Sequence, residues 1–243
     1  MKDPVIRVQN LVSGYDDHIV LNDISFDVIP GEILVILGTS GCGKTTLLKN
    51  LIGLLRPFSG QIMLLGRDLL KANDKELLEL MRQVGVLFQN GALLNSITVA
   101  ENVAIPLEQH TKLNPELIED LVRVKLSLVG LAHAAHALPS ELSGGMRKRA
   151  ALARAIALDP KVLFADEPGA GLDPVTASSL DRLLLNLRDL LGMTLIVVTH
   201  EVGSIRRIAD RILFLHEGRA VFYGKLDDAL KSEIEPVQQF FNA

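Results

Sequence analysis

The stretch Gly38-Thr39-Ser40-Gly41-Cys42-Gly43-Lys44-Thr45 constrains this chain more than any other part of it. It follows Ile33–Leu37, an apolar run of strand length, and leads into the apolar segment Thr45–Leu55, which reads as a helix. A glycine-rich turn between a strand and a helix lets backbone N–H groups close around phosphate oxygens, and the positive end of the helix faces the same charge. Lys44 is expected to reach the β- and γ-phosphates and Thr45 to offer its hydroxyl to Mg2+, with Thr46 beside them in the same cradle. A chance glycine turn followed by lysine is the alternative, and the strand and helix on either side weigh against it. The loop marks a nucleoside triphosphate binder without saying of which kind.

Around that loop strands and helices alternate, which implies an α/β fold on a mostly parallel sheet. The first thirty residues differ. Val5–Val8 and Ile24–Val28, joined by the turn-rich Ser13–His18, read as an antiparallel flank. Further strands are expected at Gln61–Leu65, Val84–Phe88, Val162–Ala165, Met193–Thr199 and Arg211–His216. Helices are expected at Asp74–Arg82, at Pro174–Leu191 behind the cap Asp173, and at the end near Phe240. Between about Gly91 and Asp159 the strand signal vanishes. Thr98-Val99-Ala100-Glu101 has capping-box spacing, Asn114-Pro115 is a cap with a first-turn proline, and Ser143–Leu158 reads as a helix rich in alanine and arginine. The expectation is a single domain, residues 1–243, whose core takes 1–90 and 160–243 and carries a helical lobe at 91–159.

Composition narrows the function classes. With 48% hydrophobic and 22% charged residues, the chain has the balance of a folded globular protein. A net charge of −4 without a long basic run argues against a protein that holds nucleic acid by neutralising phosphates. A single cysteine excludes an internal disulfide. The start Met1-Lys2-Asp3-Pro4 lacks the pattern of a secretory signal, and no apolar run reaches spanning length.

Two more motifs carry chemistry. Val162-Leu163-Phe164-Ala165-Asp166-Glu167 is an apolar strand ending in two carboxylates. Asp166 is suited to hold Mg2+ and Glu167 to orient or deprotonate an attacking water, although an acidic pair after a strand is by itself often a solvated loop. Leu142-Ser143-Gly144-Gly145-Met146 opens the helix that follows, a second anion site with little side chain in the way. Such a site is useful if it closes over the nucleotide of another subunit; a plain capped helix start is the alternative.

Ser143-Gly144-Gly145 with the following arginine–alanine helix resembles the signature motif of ABC ATPases, and the resemblance extends over essentially the whole chain. It implies a P-loop NTPase fold with a RecA-like core, an antiparallel β flank and an inserted α-helical subdomain. Carried over by position, Tyr15 stacks on adenine, the alternative being a turn tyrosine without a ligand. Gly38, Thr39, Ser40, Gly41, Cys42, Gly43, Lys44, Thr45 and Thr46 hold the phosphates. Gln89 touches Mg2+ or water, and Gly171-Leu172-Asp173 resembles the loop that crosses the dimer interface, although Asp173 also suits a helix cap. His200 stands where the family has a γ-phosphate sensor. The resemblance thus implies Glu167, His200, Lys44 and Gln89 as catalytic residues, and Thr45, Gln89 and Asp166 as donors to Mg2+.

The resemblance further implies a head-to-tail homodimer with two ATP, each held by one subunit's Gly38–Thr45 loop and the other's Ser143, Gly144 and Gly145. Met146 departs from the family's usual glutamine, and Gly169-Ala170 departs from a usual polar pair. Arg147-Lys148-Arg149 reads as a solvated helix face that favours ATP's charge at long range. Cys42 reads as a small residue tolerated in the loop, whose alkylation should block hydrolysis unless ATP protects it.

Phe88–Leu94, Ile97–Leu107 and Glu141–Met146 with Arg149–Ile156 are similar to the Mla-type ATPases of Mce-associated lipid transporters, in which the methionine is a family trait. That similarity implies phospholipid transport between two bacterial membranes. The implied partners are an integral permease, a periplasmic Mce-domain substrate-binding protein and a small STAS-domain protein, and no nucleic acid. The implied location is cytoplasmic, on the inner face of the inner membrane. Two readings stay open: the ATPase of another importer or exporter, and a soluble ABC protein without a permease. A P-loop kinase is a third, against which Ser143–Gly145 and His200 argue.

Overall fold

The chain opens on a long hairpin. In a computed structural model describing residues 3–242, β1 (Ile6–Tyr15) and β2 (His18–Val28) are joined by a turn at Asp16-Asp17 alone. There follow β3 (Ile33–Gly38), α1 (Lys44–Leu51), β4 (Ser59–Leu64), β5 (Arg67–Asp68), α2 (Asp74–Met81) and β6 (Val84–Leu87). A helical stretch comes next, with α3 (Val99–His110), α4 (Pro115–Leu128) and α5 (Gly144–Ala155). The chain then returns to β7 (Val162–Asp166), α6 (Pro174–Leu191), β8 (Thr194–Val198) and α7 (Val202–Ile208). It closes with β9 (Arg211–His216), β10 (Arg219–Lys225), α8 (Leu226–Leu230) and α9 (Glu235–Asn242). By packing, the chain divides into two units, 1–81 with 194–243 and 82–193. No helix among the described residues is long and apolar enough to cross a membrane.

In the first unit, β3 lies parallel to β8 on one side and β9 on the other, with Ile36 opposite both Val198 and Leu213. Ile33 through Leu37 are all fully buried, which is why this strand is an unbroken apolar run and not an alternating one. β10 adds antiparallel to β9. A second, antiparallel sheet runs β2-β1-β4-β5. The register of β1 on β2 shifts between Val8 and Leu11, between Leu11 and Ser13, and between Ser13 and Gly14. Those irregularities break the period-two alternation, so the flanking strands run further than the sequence pattern suggests. The helix after the glycine loop, by contrast, stops at Leu51, short of the expected Leu55, as the chain turns through Gly53 at φ +73°.

One buried polar cluster ties that helix to the flank. Asn50, fully buried on α1, donates from Nδ2 to Ser13 Oγ on β1 at 2.9 Å and to the Thr46 carbonyl at 2.6 Å. Because these groups have no water to turn to, their mutual bonds fix the height of β1 along α1, and so where Tyr15 at the end of β1 stands.

In the second unit, β6 and β7 pair in parallel, with Leu87 opposite Ala165. Gly85 lets the C-terminal end of α5 approach β6, since a Cβ there would fall 2.4 Å from the Ala155 carbonyl oxygen. The helices carry the expected caps. Thr98 and Glu101 form a reciprocal box at α3, Asn114 Oδ1 accepts from Leu117 N at α4, and Asp173 Oδ1 accepts from Val175 N and Thr176 N at α6. Four elements among the described residues lie outside the sequence expectation: the two-residue strand β5, the half-buried strand β10, and the helices α7 and α8 of seven and five residues.

Replacing Asn50 by Ala leaves Ser13 Oγ buried without its partner. Urea denaturation should show a loss of about 1–3 kcal/mol, and an unchanged midpoint would mean the cluster does not hold α1 to the flank.

Candidate active site

In the first unit the glycine loop leaves the carboxyl end of β3. Gly38 (φ +148°) is packed so closely that a Cβ would meet the Leu215 carbonyl oxygen at 2.0 Å, and a Cβ on Gly43 (φ +103°) would meet Leu21 at 2.5 Å. Gly43 is also the N-cap of α1, with no side chain capping the helix and no acid in its first turn. The first N–H groups of α1 are therefore left for an external acceptor, which fits the phosphate of a nucleotide. Lys44 Nζ donates to the carbonyls of Gly38 at 2.9 Å and Thr39 at 3.0 Å, so the ammonium stands within the curve of the loop. Thr39, Ser40, Gly41 and Thr45 are exposed, whereas Cys42 and Thr46 are buried.

Two more predicted residues belong to this unit. His200 lies two residues past Val198 on β8, and Gly38 two residues past its register partner Ile36 on β3. The exposed imidazole thus leaves the sheet at the same height as the start of the glycine loop. Tyr15 is 41% exposed, and its hydroxyl is 3.2 Å from Lys49 Nζ on α1, which also lies 5.4 Å from the ring centre. A hydrogen bond with the Thr46 side chain, aided by Lys49, holds the phenol below its ordinary pKa against the opposing effect of burial.

The second unit gathers Gln89, Ser143, Gly144, Gly145, Asp166, Glu167 and Asp173. Extending the β6–β7 register by two residues brings Gln89 level with Glu167. Ser143 caps α5, its Oγ accepting from Met146 N at 3.3 Å. A Cβ on Gly144 would lie 3.5 Å from Leu172, and a Cβ on Gly145 would fall 2.6 Å from Thr176 on α6. The loop Gly171-Leu172-Asp173 therefore packs beside the Ser143 loop of its own chain while Asp173 caps α6. Glu167 has φ +45°, a left-handed backbone that L-residues other than glycine seldom adopt.

Residues 21–170 match the ABC transporter family. The chain is 41% identical to the intermembrane phospholipid transport ATP-binding protein of Haemophilus influenzae over 99% of its own length and 91% of that protein's. The chain belongs to the ABC transporter family of ATPases. It is 42% identical to a Mycobacterium leprae protein named for ribonucleotide transport, of which it spans 68%, and it spans 66% of the Mycobacterium tuberculosis counterpart. Among solved structures, cbiO1 of Clostridium perfringens, part of the ABC transporter complex cbiONQ, superposes with a TM-score of 0.87 at 31% identity, covering 98% of this chain and 94% of that one. A dimeric ATP-binding cassette in a post-hydrolysis state with ADP and Pi gives 0.82 at 29% identity, covering 91% and 98%. The fold is that of an ABC ATPase, and the chain is an ATP-hydrolysing one.

For this ABC ATPase the structure corrects one reading. Of Arg147-Lys148-Arg149 only Arg147 is exposed as expected of a solvated face; Arg149 is half-buried, Lys148 is buried, and each of the three side chains makes a hydrogen bond. Arg147 donates to the Leu142 carbonyl, Arg149 to the Val129 carbonyl and Ser179 Oγ, and Lys148 to the carbonyls of Gln89 and Glu167. Arg154, one helix face further on, donates to the carbonyls of Gly91 and Ala92 at 2.8 Å each. Arg154 and Lys49 were the residues sequence reasoning missed, and Lys148 was read as part of a solvated face; only their places on helices beside the motifs could have marked them. The donors expected for Mg2+ fit that ion chemically. The Thr45 hydroxyl in the first unit, and the Gln89 amide oxygen and Asp166 carboxylate in the second, are each hard oxygen donors of the kind that ion takes.

Cys42 is 3% exposed, and burial pushes its thiol above the ordinary range despite the Lys44 charge nearby. Iodoacetamide at neutral pH should therefore label the folded chain at least about tenfold more slowly than the chain in denaturant, as followed by mass spectrometry. Equal rates would mean that the loop opens freely.

Proposed function

We propose that this ATPase powers phospholipid transport between the membranes of a bacterial envelope, as the peripheral, cytoplasmic-face subunit of a complex whose membrane-spanning part lies in other chains. The observation that carries this reading is the match to the Haemophilus influenzae phospholipid transport protein, which takes in nearly the full length of both chains. The Escherichia coli K12 protein of the same name matches at 40% over 97% of this chain. The name borne by the mycobacterial relatives favours ribonucleotide cargo instead, but they extend well beyond the matched part. The reading includes an integral permease, an Mce-domain protein and a STAS-domain protein as partners.

Hydrolysis in this reading takes place in a homodimer. The Gly38–Thr45 loop holds the phosphates of ATP, Tyr15 stacks on the adenine, and Ser143, Gly144 and Gly145 of the other subunit close over the γ-phosphate. The helical residues 91–159 carry that closing surface. Thr45, Gln89 and Asp166 would hold Mg2+, which would draw charge from the phosphate oxygens. Glu167 accepts the proton of the attacking water as a bond forms from its oxygen to the γ-phosphorus. The bond to the β–γ bridging oxygen breaks, and its electron pair leaves with ADP. Lys44 and His200 stabilise the charge that develops on the transferred group. The dimeric state and the ADP and Pi of the solved relative support this scheme.

Glu167→Gln should lower kcat by about a hundredfold or more while ATP binding persists and ATP-bound dimers accumulate on gel filtration; turnover at the parent rate would remove Glu167 from its role. Purification from native membranes in mild detergent, followed by mass spectrometry, tests the cargo. A permease with an Mce-domain protein is expected. A different permease would discard phospholipid but keep the mechanism, and no membrane partner would favour a soluble ABC protein.

A further inference from the structure

We propose that Lys148 is a positioning residue: its buried ammonium locks the backbones of Glu167 and Gln89 to the helix that carries the Ser143 loop. The proposal rests on the assignment of Glu167 as proton acceptor.

Lys148 lies one helical turn after Gly144 and is 8% exposed. Burying an ammonium is costly unless its donors are met by acceptors. Two of its bonds go to main-chain carbonyls on neighbouring strand ends, to Gln89 O at the end of β6 and, at 3.2 Å, to Glu167 O at the end of β7. The parallel register has already brought those residues to one height, with Leu87 opposite Ala165. Lys148 closes the gap just where the ladder between the strands ends.

The Glu167 backbone needs such support. A left-handed conformation is strained for an L-residue, and it persists only when the surroundings over-determine it. Here the Glu167 carbonyl accepts twice, from Lys148 Nζ and from Ala170 N at 3.1 Å. With that carbonyl held, the Cα–Cβ direction of Glu167 is held as well, and the carboxylate follows it.

The same helix fastens the far end of the Gln89 loop. Arg154 holds the carbonyls of Gly91 and Ala92, the latter residue at φ +51°, and Gly91 is close enough to α5 that a Cβ would meet the Ala151 methyl at 3.1 Å. The loop from Gln89 to Ala92 is thus stapled to α5 at both ends. A shift of α5, whose first residues form the signature loop, carries Gln89 and the Glu167 backbone along with it. An apolar chain of the same length would fill the space of Lys148; only a multiple donor can join the two carbonyls.

The test compares Lys148→Met, Lys148→Gln and Lys148→Arg with the parent and with Glu167→Gln, using the full chain in its native membrane complex. Lys148→Met should lower kcat at least about tenfold while KM for ATP stays within about twofold, because the phosphate loop is untouched. Lys148→Arg should recover kcat to within about threefold of the parent. In a Glu167→Gln background, Lys148→Met should cost less than about twofold more. If Lys148→Met does not fold, the comparison of Gln with Arg carries the same expectation, a reduced kcat for Gln at unchanged KM. Parent-level kcat in the neutral variants overturns the proposal, as does a joint loss of kcat, ATP affinity and melting temperature that Arg fails to rescue. A Glu167→Gln enzyme with parent turnover would instead remove the reading on which the proposal stands, so the two failures are distinct.

Discussion

Parallel pairing sets the height of the glycine loop, His200, Gln89 and Glu167 in this chain. In one unit β3 and β8 run side by side, and the glycine loop and His200 leave the sheet at the same level. In the other, β6 and β7 run side by side, and Gln89 and Glu167 do likewise. Parallel strands have all their carboxyl ends on one edge, so a short loop from each collects functional groups there without any strand having to bend. The cost is that such strands are buried on both faces. Val162 through Ala165 and Leu195 through Val197 are fully buried, as is the glycine loop's own strand. Burial leaves little freedom to readjust a misplaced loop by moving the strand beneath it.

Precision beyond the strand ends comes from polar side chains that are buried or half-buried. Asn50 holds the flank to α1 in the first unit, and Lys148 and Arg154 hold a loop to α5 in the second. For Lys148 and Arg154 the acceptors are main-chain carbonyls, so what is fixed is the path of the backbone, whereas Asn50 reaches the flank through the Ser13 hydroxyl. Glycine works in the opposite sense. Gly38, Gly85 and Gly145 permit approaches of backbone to backbone or methyl to backbone that a Cβ would forbid. Donors pull the loops in, and missing side chains make the room.

The phosphate loop, the carboxylate pair and the signature were readable because each depends on residues close together in sequence. The caps Thr98, Asn114 and Asp173 were readable for the same reason. The ends of β1 and β2 were not, because bulges scramble the alternation that marks a strand. Nor was β10, whose residues Ala220 to Gly224 are all half-buried and show no alternation to read. Lys148 is the sharpest case. Between two arginines on a helix it has the pattern of a wetted face, and only the arrival of two strand ends from elsewhere in the chain makes it interior. That information resides in long-range contacts, which local pattern does not carry.

The backbone of Glu167 has a consequence for how this sequence can drift. Glycine or asparagine would sit more easily at φ +45° than glutamate does, so at this position folding and turnover pull toward different residues. A copy of the chain retained only as a binding or scaffold protein, with no need to turn over nucleotide, would be under pressure to relax there first. Position 167 would then become a marker of lost activity that is visible before any change in the glycine loop, since the loop's own glycines are already at ease in the shapes they hold.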